Sequence, residues 1–173
     1  MRCKSSRTAL LGAVVIGTVI SFAAWAQTPP AGGQGGDGMG AMQMPSPAEQ
    51  AIEYRKSLFT VISGNFGPIG NMLQGRADFN GADAAKRAAR TAQLAAMLDD
   101  AFPDISKTGD TKAKPEIWTN KTDFDKISKD FMTHTADLAA VLKKDSSNSA
   151  DFKKAATAVA QDCRSCHEQF KAR

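Results

Sequence analysis

Apolar residues recur along this chain in steps of three and four, and the runs in which they do so predict four helices. The first begins at Ser46-Pro47-Ala48-Glu49, a capping box with proline at the first helical position. Its stripe is Ile52, Arg55, Phe59, Ile62, Phe66, Ile69 and Leu73, the inward face of a bundle helix. Pro68 removes the backbone bond to the Gly64 carbonyl, which predicts a kink, and Gly75 after Gln74 is the expected stop. Arg55 is the polar member of an apolar stripe: a buried guanidinium needs a partner, or it snorkels to the bundle end.

The second helix has Asn80 as its cap and runs from about Gly81 to Asp100. It carries Ala85, Ala88, Ala89, Ala92, Ala95 and Ala96 beside Leu94 and Leu98, so it can approach a neighbour closely, and Asp83, Lys86, Arg87 and Arg90 mark its wet face. The connection from Phe102 to about Pro115 is polar and too long for a tight turn; segments of this kind often cover a site. The third helix starts between Glu116 and Thr119 and ends near Lys144, with the stripe Phe124, Ile127, Phe131, His134, Leu138 and Val141. The fourth starts between Ser147 and Ser149 and places Phe152, Ala156, Val159, Cys163, Cys166, His167 and Phe170 on one face. No segment shows the two-residue alternation of a half-buried strand. The expected fold is all-α, an antiparallel up-down four-helix bundle over residues 47–173.

Upstream, residues 1–26 read as a secretory signal. Arg2, Lys4 and Arg7 form its positive start, Leu10 to Ala24 its apolar run, and Ala24-Trp25-Ala26 its cleavage site. The apolar run falls short of the roughly 20 residues that span a bilayer; an uncleaved anchor is the competing reading. Export to the periplasm is expected, with no membrane attachment after cleavage, and Cys3 is lost with the signal. Residues 27–46 are rich in Gly, Pro and Met and cannot bury enough apolar surface to fold, so a flexible tail is expected. Met39, Met42 and Met44 are soft thioethers that suit Cu(I), against the plainer reading of a linker. Three of the 22 basic residues go with the signal, leaving one more than the 18 acidic residues; the pI of 9.0 therefore misleads, and nucleic-acid binding is not expected.

Chemistry concentrates at Cys163-Arg164-Ser165-Cys166-His167. Cys-x-x-Cys-His is the pattern for covalent attachment of a c-type haem. Two thiols at i and i+3 share a helix face and can each form a thioether to one porphyrin, and the next residue brings an imidazole to the iron. A thioredoxin-like redox pair wants a βαβ context, a zinc site wants about four ligands, and a plain disulfide leaves His167 without a purpose. One covalent haem c with His167 on the iron is the expected cofactor. A haem propionate would then serve as the partner of Arg55. His134, on or beside the core stripe, is either a second axial ligand or a peripheral histidine. With no nucleophile–base pair and no carboxylate pair of identifiable geometry, no enzyme activity is expected.

The motif at the end of a four-helix chain resembles the class II c-type cytochromes, and specifically the cytochrome c′ family. Tyr54-Arg55-Lys56, Asn65-Phe66-Gly67-Pro68, Ala113-Lys114-Pro115-Glu116-Ile117-Trp118 and Cys163 to Phe170 carry the resemblance. It covers roughly Ala48 to Arg173 and leaves out the Gly/Met-rich tail. The family is itself a type case of the up-down bundle, so that topology is an implication of the resemblance. It implies thioethers at Cys163 and Cys166 and His167 as proximal ligand. It implies Arg55 and Lys56 near the propionates, with Thr111 adding a contact from the connection. Lys171 stands where many relatives have arginine beside the imidazole, and its compact, more hydrated cation makes a less fixed contact. Phe59 occupies the position at which low-spin relatives carry a methionine ligand. The resemblance therefore implies five-coordinate high-spin iron, one-electron transfer with small redox proteins, binding of NO and CO at the distal face, and a homodimer through the first two helices. The alternative is a six-coordinate low-spin carrier resembling cytochrome c-556, with His134 or Met72 as the sixth ligand. A third reading is an exported copper-handling protein using the tail.

Overall fold

A computed structural model describes residues 44–173. The expected signal, its cleavage site and the tail as far as residue 43, with Met39 and Met42, lie outside the described residues. Five α-helices follow: α1 (Pro47–Leu73), α2 (Gly81–Ala95), α3 (Glu116–Thr119), α4 (Lys121–Lys144) and α5 (Ala150–Phe170). The four long ones form the expected bundle, with α1 against α2 and α5, and α4 against α2 and α5. Among the described residues there is no strand, and no helix is long and apolar enough to cross a membrane.

Local chemistry sets the boundaries. The Ser46 hydroxyl accepts from the Glu49 amide at 3.3 Å, and the Glu49 carboxylate accepts from the Ser46 amide at 2.7 Å, completing the capping box. These bonds hold the Glu49 carboxyl below its ordinary range. Gly75 closes α1 at φ 67°, a backbone angle that glycine adopts without a Cβ clash. The Asn80 side chain caps α2 through the Asp83 amide at 3.0 Å, and the Ser149 hydroxyl caps α5 through the Phe152 amide at 3.2 Å.

Two boundaries differ from expectation. The second helix does not continue as an α-helix to Asp100; residues Ala96–Asp100 form a 3₁₀ segment. There the chain turns toward α1, and the Ala101 carbonyl accepts from Arg55 instead of extending the helix ladder. The third helix is not continuous either. Asn120, at φ −115° and ψ 53°, separates the single turn α3 from α4. That break lets Trp118 donate its indole N–H to the Phe102 carbonyl at 3.2 Å.

The core centres on Ile69, Ala88, Leu138, Leu142, Phe152 and Val159. The buried line of α2 is Ala84, Ala88, Thr91 and Ala95, so Ala89 and Ala96 face outward rather than inward. In α1 the buried positions include Leu58 and Met72 beside Ile52, Ile62 and Ile69, with Phe59, Phe66 and Leu73 only partly buried. In α4 they include Thr135 and Leu142, with His134 and Val141 at the margin. The α2 start packs so tightly that a Cβ on Gly81 would lie 1.8 Å from the Ser146 carbonyl oxygen in the α4–α5 turn. The Gly81→Ala variant is accordingly expected to lose about 1–3 kcal/mol by overpacking, read as a lower urea midpoint.

Candidate functional site

The lower half of α5 carries the motif. Cys163 and Cys166 sit one turn apart, half-buried and not joined to each other. As free thiols both are pushed up to about 11 by burial; for Cys163 the neighbouring Asp162 charge adds to this. His167 follows at a more exposed position, and burial, then the Lys171 charge, lowers the pKa of its imidazole.

These side chains open onto two adjoining cavities. One, of about 570 Å³, is lined by Arg55, Lys56 and Phe59 from α1, Thr111 from the connection, and Cys166, His167 and Lys171 from the chain's last segment. The other, of about 400 Å³, takes in Cys163 and Phe66 and again touches Phe59, Cys166, His167 and Lys171. All eight residues singled out from the sequence therefore border one continuous region, although they are spread over more than a hundred positions of the chain. Phe102, Phe124 and Phe170 complete its apolar wall, with ring centroids 4.8 Å apart for Phe102–Phe124 and 5.3 Å for Phe124–Phe170. Of these, Phe102 had no helical periodicity to mark it, since it opens the irregular connection.

Arg55 is 4 % exposed and holds the connection over the cavity. Its Nη1 donates to the Ala101 carbonyl at 3.2 Å and to the Ser106 hydroxyl at 2.8 Å. Its Nη2 donates to the Ser106 carbonyl at 3.4 Å and to the Thr111 hydroxyl at 2.8 Å. The guanidinium also stacks on Phe102, 5.0 Å from the ring centroid. Burial lowers its pKa, but arginine stays charged. The snorkelling reading thus gives way to a buried, fully engaged cation. Ser106, buried at the end of a 3₁₀ turn (Asp104–Ser106) in the connection, is a partner that no sequence pattern announced. An Arg55→Met variant keeps the stacking stem but strands these oxygens, and is expected to lower the unfolding free energy by about 3 kcal/mol in urea.

The remaining candidates take distinct places. Lys56 pairs with Glu53 at 2.9 Å and with Asp110 at 2.7 Å, which raises its pKa. His134 bonds the Asp162 carboxylate through Nδ1 at 2.7 Å, and so has a partner at the edge of the bundle. Burial raises the Asp162 pKa against this contact. Met72 is packed in the main core, nearly four helical turns along α1 from Phe59.

The donor set fits the haem expected from the sequence on the observations of this site. Two thiols and an imidazole border one aromatic-walled region. Its buried cation has no ion pair with a carboxylate among the described residues, which suits a flat apolar group bearing acidic side chains.

Comparison with known proteins gives one answer. A family profile described as Cytochrome C′ matches residues 50–171. Cytochrome c′ of Rubrivivax gelatinosus is 36 % identical over 126 residues, covering 70 % of this chain and 93 % of that relative. Cytochrome c′ of Rhodopseudomonas palustris is 34 % identical over 123 residues, covering 70 % and 82 %. Among solved structures, cytochrome c prime from Shewanella frigidimarina superposes with a TM-score of 0.69 at 35 % identity, over 74 % of this chain and 98 % of that one. A ferrous variant of cytochrome c prime from Alcaligenes xylosoxidans with bound NO gives 0.64 at 25 % identity, over 73 % and 96 %.

Proposed function

Because the chain belongs to the cytochrome c′ family, with covalent haem c as its cofactor, we propose that it is an exported gas-binding and one-electron carrier with five-coordinate iron. Cys163 and Cys166 carry the thioethers, and His167 is the protein's ligand to the metal. The haem would supply reversible one-electron redox chemistry and a metal able to take up a diatomic gas.

The observation that carries this reading is Phe59. It borders both cavities together with His167 and offers a phenyl ring, which has no lone pair for a metal. Phe59 and Phe102, with centroids 6.1 Å apart, make this wall largely apolar, with Ser63 the α1 hydroxyl that borders both cavities. A gas taken up beside Phe59 would have to displace its ring, and a largely apolar wall would favour NO and CO over O₂, which gains from a hydrogen-bond donor. Arg55 holds the connection as a cover; its Nη donors are engaged there, so what it would offer the propionates is its unpaired positive charge, with Thr111 and Lys56 beside it. Lys171 sets a positive charge near the imidazole. Periplasmic residence after signal cleavage, small redox proteins as partners, a homodimer through α1 and α2, and the lack of an enzymatic turnover belong to the same reading. His134 and Met72 are both engaged elsewhere, so no observation favours a six-coordinate form.

The test is the optical spectrum of the ferrous protein with and without CO. A high-spin spectrum that shifts on adding CO is expected. A sharp low-spin spectrum unmoved by CO overturns the proposal.

A further inference from the structure

The cavity mouth near His167 carries an excess of positive charge whose side chains make no ion pairs among the described residues. Residues 112–114 of the connection run antiparallel to residues 170–172 after α5. The Lys114 amide donates to the Phe170 carbonyl at 3.0 Å, and the Ala172 amide to the Lys112 carbonyl at 2.8 Å. This clasp gathers Lys112, Lys114, Lys171 and Arg173 at one end of the bundle, beside Arg164 on α5. None of these five makes a side-chain ion pair among the described residues, whereas Lys56 close by is paired twice. Lys114 spends its ammonium on the Glu168 and Gln169 carbonyls at the end of α5, at 3.2 and 3.1 Å. Glu168 is the one acidic side chain bordering the same depression. The chain after its signal is nearly neutral, so this rim is a local concentration of charge rather than a share of a general excess.

We propose that this basic rim is the docking surface for an acidic redox protein that exchanges one electron with the chain. The inference rests on the haem-carrier reading above. Charge of one sign around a cofactor opening steers an oppositely charged partner to the place where electron transfer is shortest. A lipid surface fits less well. Interfacial membrane binding wants large apolar side chains beside the basic ones, and the exposed large apolar residues — Met44, Tyr54, Val61, Met97 and Ile105 — all lie outside the rim. In the exchange the donor loses one electron, the ferric iron becomes ferrous, and no bond is made or broken.

The experiment is stopped-flow reduction of the ferric holoprotein by two probes: reduced flavodoxin, an acidic protein donor, and free reduced riboflavin. Lys112→Glu/Arg173→Glu reverses two rim charges, and Lys143→Glu/Lys144→Glu makes the same net change at the end of α4. At low ionic strength the rim variant is expected to react with flavodoxin about fivefold or more slowly than the parent. The α4 variant is expected to stay within about twofold, and riboflavin to reduce all three alike. Added salt erases the rim effect. Equal losses in both variants mean that net charge alone matters, and overturn the proposal. So does an unchanged flavodoxin rate in a rim variant that instead loses binding to phosphatidylglycerol vesicles. If riboflavin itself fails to reduce the parent protein, the carrier reading falls and the docking surface falls with it; a rim that fails while riboflavin works sinks the docking surface alone.

Discussion

Phe59→Met is expected to turn the ferrous protein from a CO-binding, high-spin form into a sharp low-spin form. Its CO association rate should fall by at least about a hundredfold. Phe59 borders the same cavities as His167 but reaches them from α1, so a side chain here and the imidazole address the metal from different helices. Methionine is close to phenylalanine in volume, is flexible, and ends in a thioether that can bind iron. Its cost to packing is expected to be under about 1.5 kcal/mol, because Phe59 is only partly buried and lies outside the tight core. CO would then have to displace a bound sulfur instead of an unligated ring, and about 2.7 kcal/mol of added barrier gives the hundredfold factor. Phe59→Leu serves as the control, since it opens the same space without a donor and should stay high-spin. CO binding by the Met variant at the parent rate sinks the five-coordinate reading.

Cys163→Ala/Cys166→Ala is expected to abolish covalent cofactor altogether. Acid–acetone extraction should strip all colour from the variant and none from the parent. The two thiols border the cavity with His167, and His167 alone retains a haem only by coordination. Loss of the tether also removes folding energy, because a group that binds only the folded chain stabilises it by mass action. Without the group the aromatic rings that wall the opening lose their packing partner on that side. The double variant should therefore show native-like far-UV dichroism with lost near-UV signal and bind a hydrophobic dye. A variant that unfolds as cooperatively as the parent contradicts this account.

The residues with strong local grammar were legible before any coordinates. Ser46 and Glu49 announce a helix start because both bonds of the box form within one turn. Cys163, Cys166 and His167 announce their chemistry because two thiols and an imidazole at this spacing share one helix face and border the same cavity. Phe59 and Arg55 emerged from periodicity plus family likeness. Depth within a stripe was not legible in the same way. Leu58 and Phe59 both suit an inward face, and only the packing decides that Leu58 enters the core while Phe59 borders the cavity. Long-range polar pairs were illegible for the same reason. The Arg55–Ser106 bond spans 51 positions and the His134–Asp162 bond 28, and neither has a spacing rule. The break at Asn120 and the 3₁₀ turn at Ala96 follow from where Phe102 and Ala101 must lie, which is a property of the assembled bundle.

Burial of the two cysteines also dictates an order of events in the cell. Burial pushes both thiols up to about 11, which leaves little thiolate at neutral pH, and in the closed bundle they are reached only through cavities that the other helices wall. The finished fold is thus a poor substrate for its own maturation. α5 follows α1, α2 and α4 in the chain, so three of the four long helices are made before the attachment segment exists. Ligation is therefore expected to act on that segment before it docks, with bundle closure following as the step that seals the product. Yield of mature protein is then a race between a maturation enzyme and premature docking of α5, and overexpression without matching ligation capacity should fill the cell with colourless, degradable chain.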